Sequence, residues 1–288
     1  MNIGIIKLGQ PVYFYDDSKD FASWSIEVIN IYEIFKQYGH IVHILTETDL
    51  STNENGPFLN RYDRIYVFNG YDESRRLQLF LERSDDIRLI ITDLRLIKDI
   101  DVSIFKRIYT QSPKYCEFLP PVGQLFNYTK KSYSKTNKIY FGGGMRNRQE
   151  DFLEYVYRPN ILYKAKILLP GFISDNRVGF SEHLELLSKS KYSITIGDIE
   201  YNKIGFITPR YYECIKYDVI CFMNSTFDKY EKQMKKNDLR RVSSFVEMIE
   251  KIDYLENNLI EYNLLLEKQR EEIKESYISG KDLYDRLI

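Results

Sequence analysis

Three groups of residues have the types and spacing for chemistry: Arg210 with Glu213, the glycines at 142–144 with Arg146 and Arg148, and Asp93. The first pair lies in the stretch 192–213, YSITIGDIEYNKIGFITPRYYE. Residues 193–196 read as a strand ended by Gly197-Asp198, a polar loop follows, and Thr208-Pro209 opens a helix. Threonine caps the free N–H groups of a first turn, and proline fits the first helical position. Arg210 and Glu213, three residues apart, then share one face of that turn. A helix N-terminus carrying an arginine suits a diphosphate. A glutamate one turn on can accept two hydroxyls, as a ribose offers. The pair also reads as an ordinary ion pair on a solvated helix.

The glycine group follows a strand at 138–141 and runs Gly142-Gly143-Gly144-Met145-Arg146-Asn147-Arg148 into a helix at 149–157. Glycines between a strand and a helix let backbone N–H groups approach a phosphate, and the arginines add charge. No GK[ST] follows, so this is not a Walker A loop. Asp93 stands at the carboxyl end of a strand at 88–92, RLIIT. Open parallel sheets bind ligands at such ends. Taken alone, the residue reads more readily as a turn-forming aspartate.

The elements that must carry these groups alternate. A strand at 2–8 ends in Gly9, a helix at 25–38 is stopped by Gly39, and a strand at 41–45 follows. This βαβ order builds parallel sheets, although no GxGxxG follows the first strand. A strand at 64–68 and a helix at 74–81 precede the Asp93 strand. The rhythm breaks over 99–133, where Pro113, Pro120 and Pro121 and then a lysine-rich run place a domain boundary near residue 125. Lys130, Lys131, Lys135 and Lys138, with Tyr128 and Tyr133, read as a solvated linker or a face for a polyanion. A second series has a strand at 167–169, a helix at 181–190 and a strand at 219–223. The tail, 245–288, is helical and charged.

A net charge of −1 speaks against a wholesale basic nucleic-acid binder and leaves room only for local patches. Cys116, Cys214 and Cys221 are too few and too spread for a disulfide framework or a cysteine-built zinc site. His40, His43 and His183 are too few for a histidine-rich metal site. No signal-peptide pattern is visible, and no apolar run approaches the ~20 residues that span a membrane. The expectation is a soluble, cytoplasmic protein.

Taken in order, NIGIIKLG, YDRIYVFN, TDLRL, YFGGGMRNRQE and IGDIEYNKIGFITPRYYE resemble the DNA β-glucosyltransferase family of T-even bacteriophages over most of the chain. The last two motifs are the most specific. The resemblance implies an α/β fold of GT-B type: two Rossmann-like domains facing a cleft, with a C-terminal helix crossing back to the first. It implies an acceptor domain at 1–125, a UDP-sugar domain at 126–265 and a returning helix at 266–288. It implies transfer of glucose from UDP-glucose, with inversion, to 5-hydroxymethylcytosine in double-stranded DNA by a monomer. Asp93 matches the catalytic base, Arg146 and Arg210 the diphosphate arginines, and Glu213 the ribose glutamate. Gly143 and Gly144 belong to the phosphate turn, and Val178 falls where backbone meets uracil. Asp198 and Tyr201 line the donor pocket, and Glu27 lies near the sugar.

The chain departs from the family at Glu150, where a second phosphate-binding arginine stands. Arg148 is the candidate substitute. Gly144 replaces a serine, and the stretch at about 99–120 is shortened. Arg75, Arg76, Lys98, Lys106 and Arg107 are candidates for DNA phosphates. Whether a divalent ion, Mg or Mn, joins the diphosphate is left open by the sequence, which shows no clear DxD pair. The other readings are a different donor such as UDP-arabinose, a non-DNA acceptor, and a non-catalytic nucleotide- or DNA-binding relative.

Overall fold

The strands form on apolar runs too short for helices, wholly buried at 87–91 and 220–224 and partly exposed at 41–45. In this computed structural model the described residues are 1–7, 14–15, 20–21, 26–45, 61–68, 86–91, 105–110, 117–118, 133–143, 148–162, 180–197, 209–225, 238–274 and 280–288. They fall into two compact units, Met1–Phe126 with Ile278–Ile288, and Asn127–Tyr277.

The first unit holds β1 (Asn2–Lys7), a short antiparallel pair β2 (Phe14–Tyr15) and β3 (Asp20–Phe21), α1 (Ile26–Gln37), β4 (Ile41–Leu45), β5 (Arg64–Phe68), β6 (Ile87–Ile91), β7 (Arg107–Thr110) and β8 (Glu117–Phe118). Its main sheet is parallel throughout, in the order β4-β1-β5-β6-β7-β8. The chain leaves β1 for β4 on one side and later continues from β5 to β6 on the other. The switch point of this open sheet therefore lies between the carboxyl ends of β1 and β5, the usual place for a ligand crevice. The helix α1 turns its apolar stripe, Val28, Ile31 and Phe35, onto Ile3, Ile5, Tyr66 and Phe68. Gly39, at φ +79°, makes the left-handed turn that ends it.

The second unit holds β9 (Asn137–Tyr140), a helical run, α4 (Phe180–Ser188), β10 (Ser190–Thr195), α5 (Pro209–Lys216), β11 (Ile220–Asn224), β12 (Arg241–Val242), α6 (Phe245–Glu256) and α7 (Leu259–Lys274). The helical run is α2 (Gln149–Phe152), a π-turn (Leu153–Tyr157) and α3 (Arg158–Leu162). Pro159 has no N–H to give the carbonyl four residues back, and the widened turn sits just ahead of it. The sequence reading ends this helix at 157; the π-turn carries it on to Leu162. The four strands are parallel in the order β12-β11-β10-β9. Gln269 on α7 docks against β11, accepting from Cys221 N at 2.9 Å and donating to Val219 O at 3.1 Å.

The last helix, α8 (Gly280–Leu287), belongs to the first unit. The expected returning helix at 266–288 is thus two helices, with residues up to 274 in α7 of the second unit. Leu283 and Leu287, one turn apart, enter the core beside Ile34 and Phe35. Tyr66 Oη donates to Leu287 O at 2.5 Å, and Arg64 Nη1 donates to Ile288 O at 2.9 Å. Arg88 also donates to Leu287 O, while its Nε holds Asp86 at 2.9 Å. Arginines on the final carbonyls of a helix satisfy acceptors that have no intrahelical partner. Among the described residues no helix is long and apolar enough to cross a membrane.

Candidate functional site

The second unit gathers its polar side chains where β9 and β10 end and α5 begins. The glycine turn leaves β9 at Phe141, and its second residue, Gly143, has φ +156°, a backbone that favours glycine. A β-carbon on Gly143 would lie 2.9 Å from Arg148 Nη2. Arg148 folds over this turn, donating from Nη1 to Ile196 O at 2.6 Å, with its guanidinium carbon 6.0 Å from the centre of the Phe141 ring. Gly143 and Arg148 are therefore brought together at this turn.

Across the turn, α5 presents Arg210 and Glu213 from its first turns. Arg210 Nη1 donates to Glu213 Oε2 at 2.6 Å, with the arginine side chain 24% exposed and the glutamate 7%. The expected i,i+3 pair is thus formed, with Glu213 buried rather than on a solvated face. Burial alone pushes the Glu213 carboxyl up, but the Arg210 charge and the hydrogen bonds from His183 and Arg210 outweigh it and hold the carboxyl at about 2.

His183, on α4, completes the group. Its Nε2 meets Glu213 Oε2 at 3.1 Å and its Nδ1 meets Tyr140 Oη at 2.5 Å. Arg210 Nη1 also lies against His183 Nε2. Burial, and then the Arg210 charge, lower the His183 pKa despite Glu213. Burial raises that of Tyr140, so its hydroxyl keeps its proton. The sequence reading counted His183 only against a metal site. Its partners are 43 and 30 residues away, so no local spacing marks it.

Lys135 does not face a polyanion. Its Nζ donates to Ser188 O at 2.9 Å and Tyr217 O at 2.7 Å, tying down the ends of α4 and α5. Burial lowers its pKa to about 8. Lys138 pairs with Asp253 at 3.3 Å. Lys106 and Arg107 lie at the amino end of the first sheet, where Lys106 pairs with Asp86 at 3.7 Å. That is the end opposite the one at which β6 stops, two residues before Asp93, so these two do not flank its carboxyl end.

Asp93, Gly144, Arg146, Val178, Asp198, Tyr201, Arg75, Arg76 and Lys98 lie outside the described residues, as do Lys130 and Lys131. For Glu27 only the backbone, in α1, is described. Among the described residues no three His, Cys, Asp or Glu side chains are grouped to hold a metal ion.

No family model and no curated protein matches the chain. Solved structures do. T4 phage BGT in complex with UDP and Mn2+ aligns with TM-score 0.69 at 17% identity, over 100% of this chain and 98% of that one. The fold is that of T4 phage β-glucosyltransferase. The same enzyme in complex with its UDP-glucose substrate aligns with TM-score 0.68 at 17% identity and the same coverage. A structure of the DNA modifying enzyme β-glucosyltransferase with and without uridine diphosphoglucose gives TM-score 0.68 at 19% identity. The β-glucosyltransferase fold is the GT-B type expected from the sequence, with a parallel sheet in each unit.

Proposed function

We propose that this chain transfers a sugar, glucose, from a UDP-sugar to the hydroxymethyl group of a 5-hydroxymethylated pyrimidine in double-stranded DNA. One observation carries the reading: in a chain with the β-glucosyltransferase fold, Arg210, Glu213 and the Gly142-Gly143 turn form one cluster around His183. A preformed cationic and carboxylate pair beside a glycine turn at a helix start is the equipment for a nucleoside diphosphate.

The roles follow from the chemistry of inverting transfer. Glu213 accepts the ribose hydroxyls. Arg210 and Arg146, with Arg148 in place of the arginine lost at Glu150, neutralise the charge that grows on departing UDP. Asp93 takes the proton of the attacking hydroxymethyl group. Because a duplex hides its base edges, the target nucleotide leaves the stack at a cost of a few kcal/mol. A divalent ion, Mg or Mn, beside the diphosphate stays part of the proposal, since the similar T4 phage enzyme was solved with UDP and Mn2+; among the described residues no three His, Cys, Asp or Glu side chains are grouped to hold it.

The test is nucleoside mass spectrometry of hydroxymethylated DNA incubated with the protein and a panel of UDP-sugars. A hexose adduct on 5-hydroxymethylcytosine, lost in Asp93→Asn while UDP still binds, is the expected result. A pentose adduct would move the donor to UDP-arabinose. UDP binding without consumption of any donor in the presence of DNA would refute the DNA acceptor.

A further inference from the structure

His183 is more than a packing residue. It is 6% exposed, and both ring nitrogens and the Cε1 edge between them are engaged. One edge lies against Gly142, where a β-carbon would meet Cε1 at 2.6 Å and Nδ1 at 2.8 Å. The second meets the Tyr140 hydroxyl and the third Glu213. We infer that His183 is the positioning residue of the nucleotide site, fixing the Glu213 carboxylate, and Arg210 through it, at a set distance from the glycine turn. This rests on the UDP-binding reading of the same cluster.

The proton assignment follows from the partners. Tyr140, buried in the sheet, keeps its proton, and its Oη is assigned as the donor to Nδ1. With Tyr140 as donor at Nδ1, the ring proton is assigned to Nε2 and given to Glu213 Oε2, so that Arg210 Nη1, although it lies against Nε2, directs its N–H to the carboxylate rather than to the ring. Arg210 Nη1 donates to that same oxygen. Two donors converge on Oε2, while Oε1 takes part in none of the described hydrogen bonds. One oxygen is pinned, and the other is left to accept from a ligand. Arg210 is a long side chain, 24% exposed, so the buried imidazole is the more rigid of the two donors that set the plane of the carboxylate.

The experiment is UDP titration calorimetry on the full chain and on His183→Leu, His183→Gln, Glu213→Gln and the double variant His183→Leu/Glu213→Gln, each checked for folding by circular dichroism. Leucine removes both ring nitrogens, whereas glutamine can return an N–H to Glu213. The expected result is a loss of tenfold or more in UDP affinity for His183→Leu, recovered to within threefold by His183→Gln. No further loss is expected from His183→Leu once Glu213 is already glutamine, because the histidine acts through that carboxylate. Losses that multiply in the double variant, or His183→Leu binding within twofold of the unsubstituted chain, would overturn the inference. If His183→Leu does not fold, the two near-isosteric variants decide. His183→Gln binding UDP where Glu213→Gln does not supports the assignment, and equal loss in both overturns it. Absence of UDP binding by the unsubstituted chain refutes the proposed function and this inference together, whereas binding indifferent to His183 refutes only the latter.

Discussion

Gly142 and His183 touch at a separation that leaves no room for a β-carbon: one built on Gly142 would stand 2.6 Å from His183 Cε1 and 3.0 Å from Tyr140 Cε1. Neither ring can yield easily, since both are buried and bonded to each other. Gly142→Ala should therefore cost about 1–3 kcal/mol, the usual range for overpacking. It should also weaken UDP binding by displacing the histidine. Urea unfolding and calorimetry measure the two effects. A variant as stable as the parent would show that the contact is soft. Gly39 is the control for crowding, because a β-carbon there meets nothing within 4 Å and only its positive φ, +79°, carries a cost.

The same cluster makes stability fall in acid. The Glu213 carboxyl is held at about 2 when folded, below the 4.5 of a free glutamate. The unfolded chain thus binds the proton first, and the stability from this group, complete above 4.5, drains as pH drops from 4.5 towards 2. His183 works in the same direction at higher pH. Its folded pKa lies below 6.5, so the unfolded chain takes up the proton first and stability declines as pH falls below 6.5. Unfolding free energies measured from pH 7 to 3 should fall less steeply below 4.5 in Glu213→Gln and less steeply just below 6.5 in His183→Leu. Parallel curves for parent and variants would exclude these two groups as the source.

What the sequence could reveal depended on how local the signal was. The strands at 2–7, 41–45, 64–68 and 87–91 were legible to within a residue or two because each is a short apolar run bounded by polar residues. Arg210 and Glu213 were legible because their bond spans one helical turn. His183 was not, because its role comes from Tyr140 and Glu213, which only the fold brings to it. Lys135 looked like a linker charge, yet the ends of two helices converge on it. Lys106 and Arg107 fell in a proline-containing stretch with no clear rhythm. Without strand β7 identified, nothing showed which end of the sheet they occupied. The tail carried a signal that could have separated its last helix: Leu283 and Leu287 form an apolar stripe distinct from the charged surface of α7.

Lys106 offers a direct check on that placement. Its pair with Asp86 is 3.7 Å long, and its own side chain is 59% exposed, so the pair contributes little to stability. At the amino end of the sheet it is also away from the carboxyl end of β6. Lys106→Ala should leave the salt dependence of DNA binding unchanged, whereas loss of a phosphate contact would lower the slope of log K against log salt by about 0.9. A reduced slope would restore Lys106 to the DNA surface.

The docking of α8 within the first unit rests on apolar burial and on arginine–carbonyl bonds. Leu287 is fully buried, and its carbonyl accepts from Tyr66 and Arg88. Leu287→Ala should cost about 2–5 kcal/mol, the range for emptying a core leucine site. Arg88→Met should also destabilise. It leaves Asp86 with Arg64 at 2.9 Å and Lys106, but removes a bidentate partner from a carboxylate that burial already disfavours. Limited proteolysis near residue 280 should accelerate in both variants. Unchanged cleavage would mean that α8 is held by something other than these contacts.

Arg210 is where the nucleotide reading is most exposed to refutation. It donates to a buried carboxylate yet keeps a quarter of its own side chain open to solvent, so its remaining N–H groups are available to an anion. Alanine removes a charge from the diphosphate and one of two donors from Glu213, while His183 still holds the other side of that oxygen. UDP affinity should fall about 10- to 100-fold, equivalent to roughly 1.4–2.8 kcal/mol. Arg210→Lys should recover only part of this, because an ammonium supplies the charge but not the planar fork that spans carboxylate and phosphate together. Uridine, which carries no phosphate, should bind the parent and Arg210→Ala alike. If UDP were indifferent to the arginine, or uridine as sensitive as UDP, the start of α5 would not be the diphosphate site.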